Sequence, residues 1–178
     1  MVAMIVAATG GLVACRSNGS LPEPLSSAAS PLTTTLTPTP SPTTDQDAVL
    51  TVYRELYRAG PRAEQAPPEE RRAILEPIVT QSLLTTMVKG IAKLRARGRM
   101  TYGYPILHPY DVQIRGDRAV LHDCQDGTNG GHADHRTGKR LTHGMPGTHM
   151  VAALAKEADG VWRVAKVDQV DEPCSPAP

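Results

Sequence analysis

Phenylalanine is absent from this 178-residue chain, and with one Trp and five Tyr the aromatics reach only 3%. A core must therefore be built from Val, Leu, Ile, Met and Ala. A membrane-spanning helix needs about 20 apolar residues, whereas the uncharged N-terminal run, Met1 to Ala14, has fourteen. Neither sign of charge is in excess: nineteen Lys and Arg face eighteen Asp and Glu. That balance argues against a dedicated nucleic-acid surface, which needs a basic excess. No Gly-rich phosphate loop, Ser-His-Asp order or nucleophile elbow is present. No cofactor is expected, and no residue is assigned as catalytic. Cysteine is scarce, with three in all.

The first of those cysteines closes the segment around which the chain is organised. Leu12-Val13-Ala14-Cys15 places two aliphatic residues and a small one ahead of a cysteine. This resembles a bacterial lipobox, with cleavage after Ala14 and diacylglycerol on Cys15. Residues 1–14 would then be a lipoprotein signal peptide, although no Lys or Arg precedes Arg16 to form the basic start of such a signal. The expected place of the protein is the outer face of the cell membrane, held there by its lipid anchor. Cys124 and Cys174 are left to pair as a disulfide in an oxidising compartment.

Residues 15–44 read as the lipidated cysteine and a linker. From 16 to 44, nineteen of twenty-nine residues are Ser, Thr or Pro, and only Arg16 and Glu23 are charged. Nothing there can form a core. Extended at ~3.1 Å per residue, this spacer would reach on the order of 90 Å. The remaining residues, 45–178, suffice for one domain.

Order is expected from Thr44-x-x-Asp47, which has capping-box spacing. Val49, Val52, Tyr53 and Leu56 follow at helical intervals, and Gly60-Pro61 is read as the end of that helix. Pro67-Pro68-Glu69-Glu70 suits a first turn for a short helix bearing Ile74, Leu75 and Ile78, broken by Pro77. The longest helix is expected from Thr80 to Arg97, with Leu84, Met87, Val88 and Ile91 on one face and Gly98 as its C-cap. Beyond Gly98 the period becomes alternating. Strands are expected at Tyr110–Arg115, Ala119–Gln125, Thr148–Lys156 and Val161–Val170, with hairpin turns at Gly116-Asp117 and Asp159-Gly160. Residues 126–135 are read as a loop, and Arg136 to Thr142 as containing a Thr-Gly-Lys turn. Helices followed by an antiparallel meander give an α+β layout.

The order of these elements resembles the NTF2-like cone, and more narrowly a group of secreted and lipidated domains from high-GC Gram-positive bacteria. The matching residues are Tyr53-Arg54, the strand Gly116 to Asp126, Thr137-Gly138-Lys139, Asp159 to Val164, and Cys174. The resemblance implies N-terminal helices packed on a curved antiparallel sheet. It does not imply one activity, because such domains serve as isomerases, dehydratases, small-ligand binders and association modules. The expectation is a non-catalytic domain that binds a small ligand or an envelope protein. The alternative is a small acid–base enzyme of isomerase or dehydratase type at the cell surface.

Candidate pocket residues for such a cone are Tyr53, Tyr57, His108, Asp111, His122 and Asp123, since proton transfer needs a carboxylate facing a His or Tyr across one cavity. Against that, Tyr53 is explained as helix core and Asp123 as an outward strand residue, and Trp162 as core. Five of the six histidines fall between His122 and His149. His132-x-x-His135 could bring two imidazoles to one ion, which would make a metal-binding surface protein a further alternative. No full ligand spacing completes the set, so the loop is read as polar surface and no metal is expected.

Overall fold

Three helices precede the sheets because the apolar period switches from helical to alternating at Gly98. The computed structural model describes residues 44–174, all within one compact unit. The signal segment, Cys15 and the linker up to Thr43 lie outside the described residues. The fold is α+β, as expected, with the helices packed on an antiparallel sheet.

Helix α1 spans Asp45–Gln65 and is capped as its sequence predicts: the Thr44 hydroxyl oxygen accepts from the Asp47 N–H at 3.2 Å. Its core face is Val49, Tyr53, Leu56, Ala59 and Ala63. The expected stop at Gly60-Pro61 is wrong, since the helix runs through Pro61 for four more residues. Two physical reasons are visible. Gly60 has no Cβ to collide with the proline ring, which removes much of the usual penalty on the preceding residue. The face continues past the proline, and burial of Ala63 and Glu64 offsets the lost backbone hydrogen bond.

Helix α2, Arg71–Leu75, begins later than the Pro67-Pro68 signal suggested and buries Leu75 completely. Helix α3, Gln81–Ala96, is not the longest as expected, because α1 passes through Pro61 to reach 21 residues against its 16. It ends at Arg97 and Gly98, where a φ of +67° suits glycine. Between α2 and α3 the chain docks on the sheet: the Val164 N–H donates to Ile78 O at 2.9 Å, and the Thr80 N–H to Val164 O at 3.0 Å.

The six strands among the described residues are β1 (Arg99–Tyr102), β2 (Pro109–Arg115), β3 (Arg118–Gln125), β4 (Gly131–Asp134), β5 (Thr148–Lys156) and β6 (Trp162–Gln169). Strands β2-β3-β5-β6 form one antiparallel sheet in that order, and β1 pairs with β4 in a second. The β1–β4 pair falls partly in what was read as loop. Four residues per strand are too few to display alternation. Its corner depends on Gly103, whose φ is +67° and where a Cβ would come within 1.8 Å of the Asn129 carbonyl oxygen. Register shifts between Tyr110 and Gln113 in β2, and at Ala165 of β6 opposite Ala153 and Leu154 of β5, bend the larger sheet.

Alternation along β3 decides what the helices cover. Ala119, Leu121, Asp123 and Gln125 face them, whereas Val120, His122 and Cys124 face the other way. Leu154, Val164 and Trp162 extend the inner layer. Trp162, buried as expected, donates its indole N–H to the Asp45 carboxylate at 3.0 Å, and Lys156 reaches the same oxygen at 2.8 Å. Those hydrogen bonds, Lys156 first, hold the Asp45 carboxyl below its ordinary range. The start of α1 is thereby tied to the far edge of the sheet.

Candidate functional site

Where α1 crosses β3, four polar side chains meet in an otherwise apolar layer. Tyr53 and Tyr57 project from successive turns of α1, and Asp123 and Gln125 from alternate positions of β3. The Tyr53 hydroxyl donates to Asp123 Oδ2 at 2.8 Å. The Gln125 amide nitrogen donates to the same oxygen at 2.9 Å and to the Tyr57 hydroxyl at 2.5 Å. The backbone N–H of His108 donates to Asp123 Oδ1 at 2.6 Å. Asp123 is completely buried. An ionised carboxylate in such a place must be compensated by donors, and three reach it here. Burial pushes both tyrosine phenols up; Tyr57 and Asp123 push that of Tyr53 the same way, whereas hydrogen bonds with Tyr53 and Gln125 hold that of Tyr57 back. Both therefore stay neutral and serve as hydrogen-bonding groups.

The reading of Asp123 as an outward strand residue is thus corrected. Either parity of β3 is equally apolar in sequence, Ala119 and Leu121 against Val120 and Cys124, so charge alone favoured the wrong face. Gln125 was missed altogether, although its spacing of two from Asp123 puts both on one face.

Beside this cluster lies a cleft of about 520 Å³ between α1, α3 and the turn after β1. Its walls are mainly Leu56, Leu83, Met87, Ile91, Leu94 and Val167, with Tyr57 and Glu64 as polar members. Glu64 is buried, and its carboxylate accepts from the Thr101 N–H at 2.7 Å. A second cavity of about 360 Å³ adjoins it and shares Tyr57, Tyr104 and Pro105. Neither has a signal in the sequence, because helix α3 reads equally well as ordinary core.

Among the six pocket candidates, only Tyr53, Tyr57 and Asp123 converge. His108 contributes its backbone N–H while the residue itself is exposed. Asp111 sits in the β2 irregularity with a φ of +46°, exposed, and accepts from Gln113 at 3.1 Å. His122 belongs to the opposite face of the sheet. There its Nδ1 lies 2.9 Å from His149 Nε2, and the Tyr110 hydroxyl lies 3.1 Å from the same nitrogen. His149 Nδ1 donates to Glu172 O at 3.1 Å, which fixes the tautomer of that ring. The neighbouring disulfide joins Cys124 to Cys174 with α-carbons 5.6 Å apart, as the cysteine count predicts.

The histidine-rich segment is divided among local tasks. His135 contacts Arg95 through its Nδ1, and His132 lies in β4. Among the described residues no three His, Cys, Asp or Glu side chains converge to hold a metal ion.

No family model matches this chain, and no curated protein does. Solved structures do. The chain is similar to the intermembrane space region of the chloroplast protein ARC6, with a TM-score of 0.57 at 12% identity, over 74% of this chain and 100% of that one. A ketosteroid isomerase-like protein from Shewanella frigidimarina matches with a TM-score of 0.40 at 18% identity, over 69% of this chain and 94% of that one. At such identities the ARC6 likeness speaks for the fold alone.

Proposed function

We propose that this chain is a lipid-anchored extracytoplasmic protein whose NTF2-like domain binds a small, largely apolar ligand without transforming it. The observation that carries the binding reading is the cleft itself. Its volume falls in the ~300–1,000 Å³ range of small-molecule sites, its walls are aliphatic, and Tyr57 is one of its few polar lining residues. The carboxylate that would serve acid–base chemistry in such a cone is fully buried and occupied by three donors. A general base must reach the proton it abstracts, and Asp123 faces protein on every side.

Gly90 supplies a clean test. It lies on the cleft wall in α3, and a Cβ added there meets nothing within 4 Å. Gly90→Leu fills the cleft while replacing a poor helix former with a good one, a gain of about 1 kcal/mol in propensity. The full chain titrated with the neutral dye N-phenyl-1-naphthylamine is expected to show saturable fluorescence enhancement. The Gly90→Leu protein is expected to lose that response at unchanged or raised melting temperature. Equal dye binding by both proteins would contradict the assignment.

The anchor rests on Leu12-Val13-Ala14-Cys15. Stable attachment takes two acyl chains or signals, and diacylglycerol provides two chains. Wild type expressed in a bacterium is expected in the detergent phase after phase separation, and Cys15→Ala in the aqueous phase or unprocessed. Wild type in the aqueous phase would overturn the anchor without touching the cleft.

A further inference from the structure

We propose that the ligand of the cleft is a single-chain amphiphile with an anionic oxyanion head group, its tail in the apolar cavity and its head on Arg54 and Arg58. This rests on the binding reading above and names the chemistry of the same site. The two cavities share Tyr57, Tyr104 and Pro105 as walls, so one molecule lying across Tyr57 occupies both. They differ in charge. The larger is aliphatic, whereas the smaller is lined by Arg54 and Arg58 besides Leu107 and the shared residues.

Those arginines stand one turn apart on the same side of α1, where like charges repel and work against the helix. Their local compensation is slight. Glu55 lies 3.7 Å from Arg58 but takes its short contact, 2.7 Å, from Arg62. The Arg54 side chain has no ion pair or hydrogen bond among the described residues. The result is a weakly compensated pair of guanidinium groups at the margin of an apolar cleft. Arginine forks match carboxylate and phosphate oxygens.

The opposite end of the cleft offers a charged head group nothing comparable. Glu64 there is itself anionic and already accepts from the Thr101 N–H, and the Tyr57 hydroxyl already accepts from Gln125. Charge complementarity therefore orients an amphiphile one way, with the tail toward Leu94 and Ile91 and the head toward Arg54. The apolar tail supplies area-dependent affinity, and the arginines select the head.

The test uses displacement of N-phenyl-1-naphthylamine from the full chain by three molecules with one tail: dodecanol, laurate and dodecyl phosphate, each below its micellar concentration. Laurate and dodecyl phosphate are expected to displace the dye at least about tenfold more effectively than dodecanol, as a charge-assisted contact implies. The better of the two identifies the head as carboxylate or phosphate. Arg54→Ala combined with Arg58→Ala is expected to bring both acids to the level of dodecanol and leave dodecanol unchanged. Circular dichroism checks that the double variant is folded, and dodecanol displacement serves as its internal control. Equal displacement by all three in wild type, or an acid preference that survives the double substitution, overturns the head-group assignment and spares the binding reading. Failure of the dye to bind overturns both. Dye exclusion by a dimer that Gly90→Leu dissociates would make a second copy the occupant and likewise overturn the proposal.

Discussion

Cys174→Ser is expected to lower the stability of the domain by about 4 kcal/mol. The bridge to Cys124 closes a loop with a sequence separation of 50, and the chain-entropy relation assigns roughly that value to such a loop. A domain of this size commonly has ~5–15 kcal/mol in total, so the variant sits near its folding threshold. The bridge also holds the segment after β6 against the outer face of the sheet, where the Val170 N–H donates to His149 O at 3.0 Å and Glu172 O accepts from His149. Urea unfolding of the oxidised protein, the reduced protein and Cys174→Ser measures the effect. The last two should coincide, both well below the first. Coincidence of all three would mean that the cross-link constrains little.

Asp123→Leu should be comparably damaging, at about 4 kcal/mol. It removes the carboxylate that accepts from the buried Tyr53 hydroxyl and from the His108 N–H, while the Gln125 amide keeps the Tyr57 hydroxyl as acceptor, and each unsatisfied donor costs ~1–3 kcal/mol. The stranded donors share one acceptor group, so the losses do not simply add. Asp123→Asn keeps an acceptor for the His108 N–H and most of the packing, and should cost only about 1–2 kcal/mol. Denaturant midpoints of the two variants test this ranking. The aspect that bears on function is dye binding, because Asp123 does not line the cleft. Asp123→Asn should bind N-phenyl-1-naphthylamine as wild type does. Loss of binding with retained fold would place the carboxylate in the ligand site and revive the enzyme alternative.

The helices, four of the six strands and both hairpin turns of the larger sheet were legible because each has a strong local signature. Thr44-x-x-Asp47 is a cap, Gly98 takes a left-handed φ, and Thr148–Lys156 alternates over nine residues. The failures share a cause, namely that tertiary burial overrode a local signal. Pro61 failed to stop α1 because its neighbours Ala59 and Ala63 are buried. The β1–β4 pair was invisible because its four-residue strands are specified by a non-local approach at Gly103. The same holds for the site. Tyr53 and Tyr57 could be placed on one helical face, but nothing local says that Asp123 faces them across seventy residues. The cleft is harder still, since a cavity is the absence of a side chain, and Leu83, Met87 and Ile91 read the same whether they meet protein or a ligand.

The most direct measurement is a methyl carbon–proton correlation spectrum of the full chain titrated with N-phenyl-1-naphthylamine. Shifts are expected for the methyl groups of Leu56, Leu83, Met87, Ile91, Leu94 and Val167, which line the cleft. Val120 and Val161, exposed elsewhere, should stay in place, and Gly90→Leu should abolish the response. Shifts confined to other methyl groups, or no shifts at saturating dye, would contradict the assignment of this cleft as a ligand site.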